Sequence, residues 1–212
     1  FMPDWVSLER SKLIEMYGAH VHLVSKEEGG FKRALEMVDD FAEEIGAYKP
    51  LQFDNELNTQ AQYYTTGQEI IDEIPDVNAF VAGIGAGGTL MGIGQRIKDN
   101  NPDSKVFALE PSTLSILKMG MEEGSQMIEG IGDDFIPGII NEDLIDDIVL
   151  IDDCDAINMS KRIAKEFGLG IGISSGANFL ASVLMVSDEL KIATVFPDDN
   201  KKYITTKLSE KI

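Results

Sequence analysis

Apolar residues follow two different periods along this chain, and each period predicts one kind of element. Apolar positions three and four residues apart predict helices over 7–17, 31–45, 58–74, 115–121, 155–167, about 178–190 and 201–211. Short apolar runs predict strands over 79–82, 105–110, 148–151 and 192–196, and alternation predicts another over 20–24 with Val21 and Leu23 inward. Strands that are apolar throughout are typical of a parallel sheet buried on both faces. The pattern therefore predicts an α/β protein, with a parallel sheet covered by helices on both faces.

The most informative stretch of the chain is a glycine loop, residues 83–88, between a predicted strand and a predicted helix. Four of its six residues are glycines, and a helical pattern begins at Thr89. Glycines allow successive backbone N–H groups to point inward, and a helix N-terminus adds a partial positive charge, so a phosphate binds there without basic side chains. The loop therefore predicts a phosphate site. A tight strand-to-helix turn without a ligand is the alternative explanation.

Composition narrows the classes of partner. The 212 residues are 43% hydrophobic, enough for one large domain or two small ones, and carry a net charge of -19. This charge repels nucleic acid and anionic lipid, so we expect no nucleic-acid partner and no membrane partner. The single cysteine, Cys154, allows no disulfide within the chain and favours a cytoplasmic location. His20 and His22 lack a third ligand nearby, so we expect a solvated pair and no metal site.

The glycine loop also fits a second class of cofactor. Gly83, Gly85 and Gly88 have the spacing of the dinucleotide fingerprint, and Glu110 ends the next predicted strand, where an acid that binds ribose would lie. An NAD-dependent oxidoreductase is therefore one alternative. The adjacent glycines before Thr89 suit a single phosphate better than a pyrophosphate.

Seven segments, in order along the whole chain, resemble one known family. These segments cover residues 2–13, 52–55, 65–70, 83–92, 129–138, 172–178 and 196–203. The chain resembles the cysteine synthases (O-acetylserine sulfhydrylases) and the related cystathionine β-synthases, which are fold-type-II enzymes of pyridoxal 5′-phosphate (PLP). This resemblance implies a tryptophan-synthase-β-like fold. It implies that residues 1–54 are the remainder of a smaller, mobile α/β domain and residues 55–212 are a larger PLP-binding domain.

The resemblance also implies the residues of the cofactor site. The residues expected to hold the cofactor phosphate are Gly85, Ala86, Gly87, Gly88 and Thr89. Ser174 is expected to meet the pyridine nitrogen with a neutral hydroxyl. Such a hydroxyl leaves the ring a weaker electron sink than a carboxylate would, which favours replacement of a β-substituent.

The same resemblance places the substrate near two other segments. Gln52 is expected near the substrate carboxylate, and Gly130, Ile131 and Gly132 are expected to border the substrate. The alternative explanations are a helix N-cap at Ser174 and a solvated loop residue at Gln52.

Several features depart from the family pattern. The Schiff-base lysine of the family belongs to its first third, no lysine of this chain has a matching context, and the chain begins at Phe1. We therefore expect a fragment that is inactive alone, and we assign no catalytic residue. Ala86 replaces a common threonine, and Asp133 and Asp134 replace smaller residues. Residues 129–137 and the last turn resemble the cystathionine β-synthases more, which leaves the nucleophile open between sulfide and a larger thiol.

Together these observations predict the function. We expect the C-terminal two thirds of a cytoplasmic, homodimeric, PLP-dependent enzyme of cysteine biosynthesis, which forms L-cysteine from O-acetylserine and sulfide. Within the family, a cystathionine β-synthase-like enzyme is the alternative. Outside it, the alternatives are the NAD-dependent oxidoreductase and a non-catalytic truncated form that binds a ligand.

Overall fold

The structure is a computed structural model that describes residues 1–121 and 124–210. The chain divides into two compact units, one of Phe1–Pro50 with the described residues from Lys201 onward and one of Leu51–Asn200. The division falls close to the predicted boundary at residue 54. It differs from the predicted domains in one respect, because the last described residues group with the first unit.

The smaller unit contains two short parallel strands and two helices. Strand β1 (Met2–Pro3) pairs with β2 (Leu23–Val24), and the helices are α1 (Leu8–Met16) and α2 (Gly30–Ile45). Both predicted helices are confirmed. The predicted strand over 20–24 is too long, and its inward face is wrong, because Val24 is buried while Leu23 is exposed. His20 and His22 are both exposed.

The last segment of the smaller unit differs from its prediction. The helix predicted over 201–211 is wrong, because the described residues form two 3-10 turns, Asn200–Tyr203 and Lys207–Ser209. Between these turns the backbone N–H and the hydroxyl of Thr205 both donate to the carboxylate of Glu9. A backbone donor used in this way cannot close a helical turn, so a contact far along the chain outweighs the local pattern.

Parallel strands form the centre of the larger unit. The strands are β3 (Ala79–Gly83), β4 (Lys105–Pro111), β5 (Asp147–Ile151) and β6 (Ile192–Thr194). Their spatial order in the described sheet is β5-β4-β3-β6, and every pair is parallel. The helices are α3 (Glu56–Tyr64), α4 (Thr66–Glu73), α5 (Gly88–Asn100), α6 (Ile116–Met119), α7 (Asp153–Phe167) and α8 (Ile173–Met185).

Helices cover both faces of this sheet. The core on one face joins Phe80, Ala82 and Val106 of the sheet to Leu90 and Ile93 of α5. Helix α8 packs on β3, β5 and β6. The connection from β3 to β4 and the connection from β5 to β6 run in opposite directions, so right-handed crossovers place α5 and α8 on opposite faces. The predicted fold class is confirmed.

Two helices of the larger unit differ from their predicted form. The helix predicted over 58–74 is interrupted at Thr65, whose backbone is not helical and whose hydroxyl donates to the Ala61 C=O at 2.6 Å. Helix α7 begins two residues before its predicted start and buries Ala156 and Ile163, while Phe167 at its end is exposed. Among the described residues, no helix has both the length and the apolar character needed to cross a bilayer.

Candidate cofactor site

The glycine loop connects the end of β3 to the start of α5. Gly87 has a φ of 93°, in the left-handed region that favours glycine. A Cβ atom on Gly85 would lie 2.3 Å from the carbonyl oxygen of Gly130, and one on Gly88 would lie 2.1 Å from Asn58 Oδ1. Close packing therefore explains why positions 85 and 88 are glycine, and the left-handed backbone conformation explains why position 87 is glycine.

The backbone donors of this segment have no protein partner. Among the described residues, no acceptor takes the N–H groups of residues 85–89. Because buried or half-buried backbone groups are nearly always paired in proteins, a row of free donors at a helix start is the arrangement that binds an anion. Packing explains why the residues are glycines, and the free donors indicate what the loop binds.

The predicted substrate residues lie against the glycine loop. The N–H of Gly132 donates to the Ile84 C=O at 2.9 Å, and Gln126 Nε2 donates to the Ile131 C=O at 2.7 Å. The side chain of Ile131 is buried against Gly83. The structure therefore brings the 130–132 loop and the glycine loop together.

Ser174 lies at the second position of α8. The residue is buried, and its hydroxyl has no hydrogen-bond partner among the described residues. Gly172 is the N-cap of α8, so the alternative explanation of Ser174 as the cap is wrong. One turn later, Asn178 Oδ1 accepts the Gly83 N–H at 2.9 Å. Residues four apart share a helix face, so Ser174 faces the edge of the sheet where the glycine loop begins.

Gln52 lies in a tight turn that is tied to the start of α5. Its C=O accepts a hydrogen bond from Asn58 Nδ2 at 2.9 Å, and the Asn58 side chain packs on Gly88. The preceding residue, Leu51, has a φ of 52°, an uncommon conformation for a residue with a side chain. The Gln52 side chain is exposed. Its backbone is thus fixed beside the site, while its side chain remains solvated.

Glu110 has a different role from the one that the dinucleotide alternative requires. Its buried carboxylate accepts hydrogen bonds from the Ser115 hydroxyl at 2.6 Å and from the N–H groups of Ile116, Leu117 and Lys118 at 3.0–3.1 Å. These donors cap the start of α6. A carboxylate with four donors has no acceptor position left for ribose hydroxyls. Glu110 therefore cannot bind the ribose as the dinucleotide alternative requires.

Asp133 follows the 130–132 loop directly. Burial, and to a smaller extent the neighbouring charge of Asp134, together raise the pKa of its carboxyl group to about 6. The sequence identified this pair only as a departure from the family pattern. Sequence reasoning also missed the side chains of Asn58 and Asn178, although Asn178 lies inside one of the segments that carry the resemblance.

Comparison with known proteins identifies the family. Residues 1–198 match the family described as pyridoxal-phosphate dependent enzyme. The chain belongs to this family. Membership confirms both the predicted family and the predicted cofactor, PLP.

Individual relatives make the likeness more specific. A cysteine synthase from Staphylococcus aureus (strain N315) is 36% identical over 212 residues, which are 98% of this chain and 68% of that protein. A hydrogen sulfide-producing enzyme from Fusobacterium nucleatum has a TM-score of 0.93 and 45% identity, over 99% of this chain and 65% of that chain. The O-acetylserine dependent cystathionine beta-synthase from Helicobacter pylori has a TM-score of 0.90 and 34% identity, over 98% of this chain and 69% of that chain. This chain therefore spans about two thirds of each relative's length.

The residues of the site fit PLP. The free N–H groups of residues 85–89 suit its phosphate group, and the unpartnered Ser174 hydroxyl suits a ring nitrogen. The described part of the chain has no group of three His, Cys, Asp or Glu side chains placed to hold a metal ion.

Proposed function

We propose that this chain is the cofactor-binding part of an enzyme that forms L-cysteine from O-acetylserine and sulfide. The observation that carries the proposal is the row of free N–H donors at residues 85–89, with a free serine hydroxyl facing the same edge of the sheet. The likeness to the Staphylococcus aureus cysteine synthase supports the product, and the likeness to the O-acetylserine dependent enzyme from Helicobacter pylori supports O-acetylserine as the substrate.

Each part of the site has a distinct task in this proposal. PLP, when bound, supplies the electron sink for breaking a bond at the β-carbon of the amino acid. Residues 85–89 hold its phosphate through their N–H groups, and the Thr89 hydroxyl adds one donor. Ser174 contacts the ring nitrogen without adding charge. Gln52, Gly130 and Ile131 border the amino-acid substrate.

The cofactor part of the proposal is tested with pyridoxamine 5′-phosphate. This compound keeps the phosphate and the ring of PLP, and it lacks the aldehyde that reacts with surface lysines. We expect saturable binding of one molecule per chain in equilibrium dialysis, weakened by inorganic phosphate. Ser174→Ala lowers affinity because the ring nitrogen loses its partner, whereas Ser187→Ala, an exposed serine, leaves affinity unchanged. Absence of saturable binding contradicts the proposal.

The remaining features of the whole protein belong to the same proposal. The 212-residue chain alone is inactive because no lysine lies in a context that matches the family's Schiff-base lysine. The active protein is a cytoplasmic homodimer. A coupled assay of cysteine formation by the isolated chain tests the first statement, and sedimentation equilibrium tests the second. Turnover by the isolated chain contradicts the predicted inactivity.

Asp133 favours a second candidate function, the release of sulfide from cysteine. A carboxyl group with a pKa of about 6 accepts protons near neutral pH, and Asp133 lies next to the 130–132 loop. The Fusobacterium nucleatum relative, 45% identical, is a hydrogen sulfide-producing enzyme. In this candidate, Asp133 takes the proton of the nucleophile that replaces the departing sulfide.

The two candidates are separated by measuring both reactions in the protein of the complete reading frame. If sulfide release is the function, Asp133→Asn lowers it by about a hundredfold, as for loss of a general base, and Asp188→Asn does not. If cysteine formation is the function, O-acetylserine and sulfide react faster than cysteine is consumed.

A further inference from the structure

The order of strands reverses between β3 and β6. From β3 the chain passes to β4 and then to β5 on one side, and it returns to place β6 on the other side of β3. In open α/β sheets, ligands bind at the carboxyl ends of the strands where such a reversal occurs. The glycine loop leaves β3 at this point.

Asn178 spans the opening between the two strand ends. The paired residues of β3 and β6 end at Val81 and Thr194. Beyond them, Asn178 Oδ1 accepts the Gly83 N–H at 2.9 Å and its Nδ2 donates to the Val195 C=O at 2.9 Å. The side chain is 2% exposed. One amide from α8 thus continues the hydrogen bonding of the sheet after the backbones have separated.

Asn178 connects the glycine loop to the helix that carries Ser174. Gly83 is the first residue of the glycine loop, and Ser174 precedes Asn178 by one helical turn on the same face of α8. Without this amide, the described structure has no direct hydrogen bond between the start of the glycine loop and α8.

We propose that Asn178 is a positioning residue, which sets the separation between the phosphate-binding loop and Ser174. The inference rests on the proposed cofactor site. The phosphate and the ring nitrogen belong to one small ligand and are separated only by the ring and a short arm, so the groups that hold them must keep a nearly fixed separation. Removing Asn178 therefore weakens ligand binding, although both polar atoms of its side chain are bonded to the protein.

A second asparagine provides a matched control. Asn78 bridges the same pair of strands at their opposite, amino ends, since its Oδ1 accepts the Lys191 N–H at 2.7 Å and its Nδ2 donates to the Glu189 C=O at 2.9 Å. Asn78→Ala and Asn178→Ala each remove a side chain with two backbone hydrogen bonds. Only Asn178→Ala acts at the edge with the site.

The experiment measures affinity for pyridoxamine 5′-phosphate in the 212-residue chain and the two variants, at a temperature where circular dichroism shows all three folded. We expect Asn178→Ala to weaken binding by about tenfold or more, as when groups that orient ligand-binding residues are removed. Asn78→Ala stays within about twofold of the unsubstituted chain.

Hydrogen exchange without ligand gives an independent readout. We expect Asn178→Ala to speed exchange of the hydrogen-bonded amides of Gly83, Ile84 and Gly176, and Asn78→Ala to leave all three unchanged. Equal affinity losses in the two alanine variants, or unchanged exchange in Asn178→Ala, overturn the inference. If the unsubstituted chain binds no ligand, the cofactor proposal fails, and hydrogen exchange then decides the role of Asn178 alone.

Discussion

Asp133 is a residue whose acid–base chemistry is altered by its surroundings. Burial, together with the charge of Asp134, moves the pKa of its carboxyl group from 3.8 to about 6. Glu110 is a buried acid of the same unit whose carboxylate accepts four hydrogen bonds. The surroundings of the two acids therefore differ, because donors hold Glu110, whereas Asp133 is desolvated beside a like charge.

The raised pKa of Asp133 makes stability depend on pH. The folded chain binds the proton of the Asp133 carboxyl group more tightly than the unfolded chain does. The stability that this proton contributes is therefore complete below pH 3.8 and is lost as pH rises through about 6. Asp133→Asn cannot ionise, so the variant does not lose this stability at higher pH. We expect the variant to exceed the unsubstituted chain in free energy of unfolding by at most about 3 kcal/mol at pH 8 and to match it at pH 3.5, in urea titrations. Asp188→Asn, at an exposed site, is the control, and a pH-independent difference contradicts the prediction.

Glu110→Gln tests the cap of α6. The variant keeps the shape of the side chain, but it loses the negative charge that accepts four hydrogen bonds and replaces one acceptor by a donor. We expect the free energy of unfolding to fall by about 2–3 kcal/mol, measured by urea titration, because hydrogen bonds to charged groups are the stronger ones. The control is Glu142→Gln at an exposed position. A change as small as in the control would show that the carboxylate is not needed.

Among the elements, the strands were the most predictable from the sequence and the site contacts the least. All four strands of the larger sheet lie where apolar runs predicted them. The break at Thr65 and the 3-10 turns around Thr205 were not predictable from periodicity, because side-chain hydrogen bonds decide them. The glycine loop was evident from the sequence as a motif. Asn178, which accepts a hydrogen bond from Gly83, lies 95 residues away along the chain, and no local sequence pattern predicts a contact at that distance.

Helix α3 packs on α5 through glycines of α5. A Cβ atom on Gly92 would lie 2.3 Å from the Thr59 carbonyl oxygen, whereas one on Gly94 would meet methyl groups of Val106 and Leu144 at 3.0 Å or more. We expect Gly92→Ala to lower the free energy of unfolding by about 1–3 kcal/mol because the backbone of α3 must move. Gly94→Ala, measured by the same denaturation, costs less because side chains adjust. Equal costs would mean that the glycine contact does not set the helix separation.

At the scale of the whole molecule, the charge of -19 is the dominant property. Repulsion among 37 acidic side chains opposes the compact state, and salt screens it. We expect the thermal midpoint to rise by about 2–5 °C between 20 and 300 mM KCl, measured by calorimetry. An equal osmolality of glycerol controls for general solute effects. A falling midpoint would mean that ion pairs such as Lys98–Asp146 outweigh the repulsion.

The contact between Gly85 and Gly130 has a consequence for how the site responds to occupancy. The Gly130 carbonyl group occupies the space that a side chain at residue 85 would take, and the Gly132 N–H donates to Ile84. The glycine loop and the 130–132 loop therefore cannot move independently. A ligand bound to one loop then restrains the other, and the coupling free energy between two such sites is the same in both directions. In the proposed function, the amino acid at residues 130–131 and the cofactor at residues 85–89 are therefore expected to strengthen each other's binding.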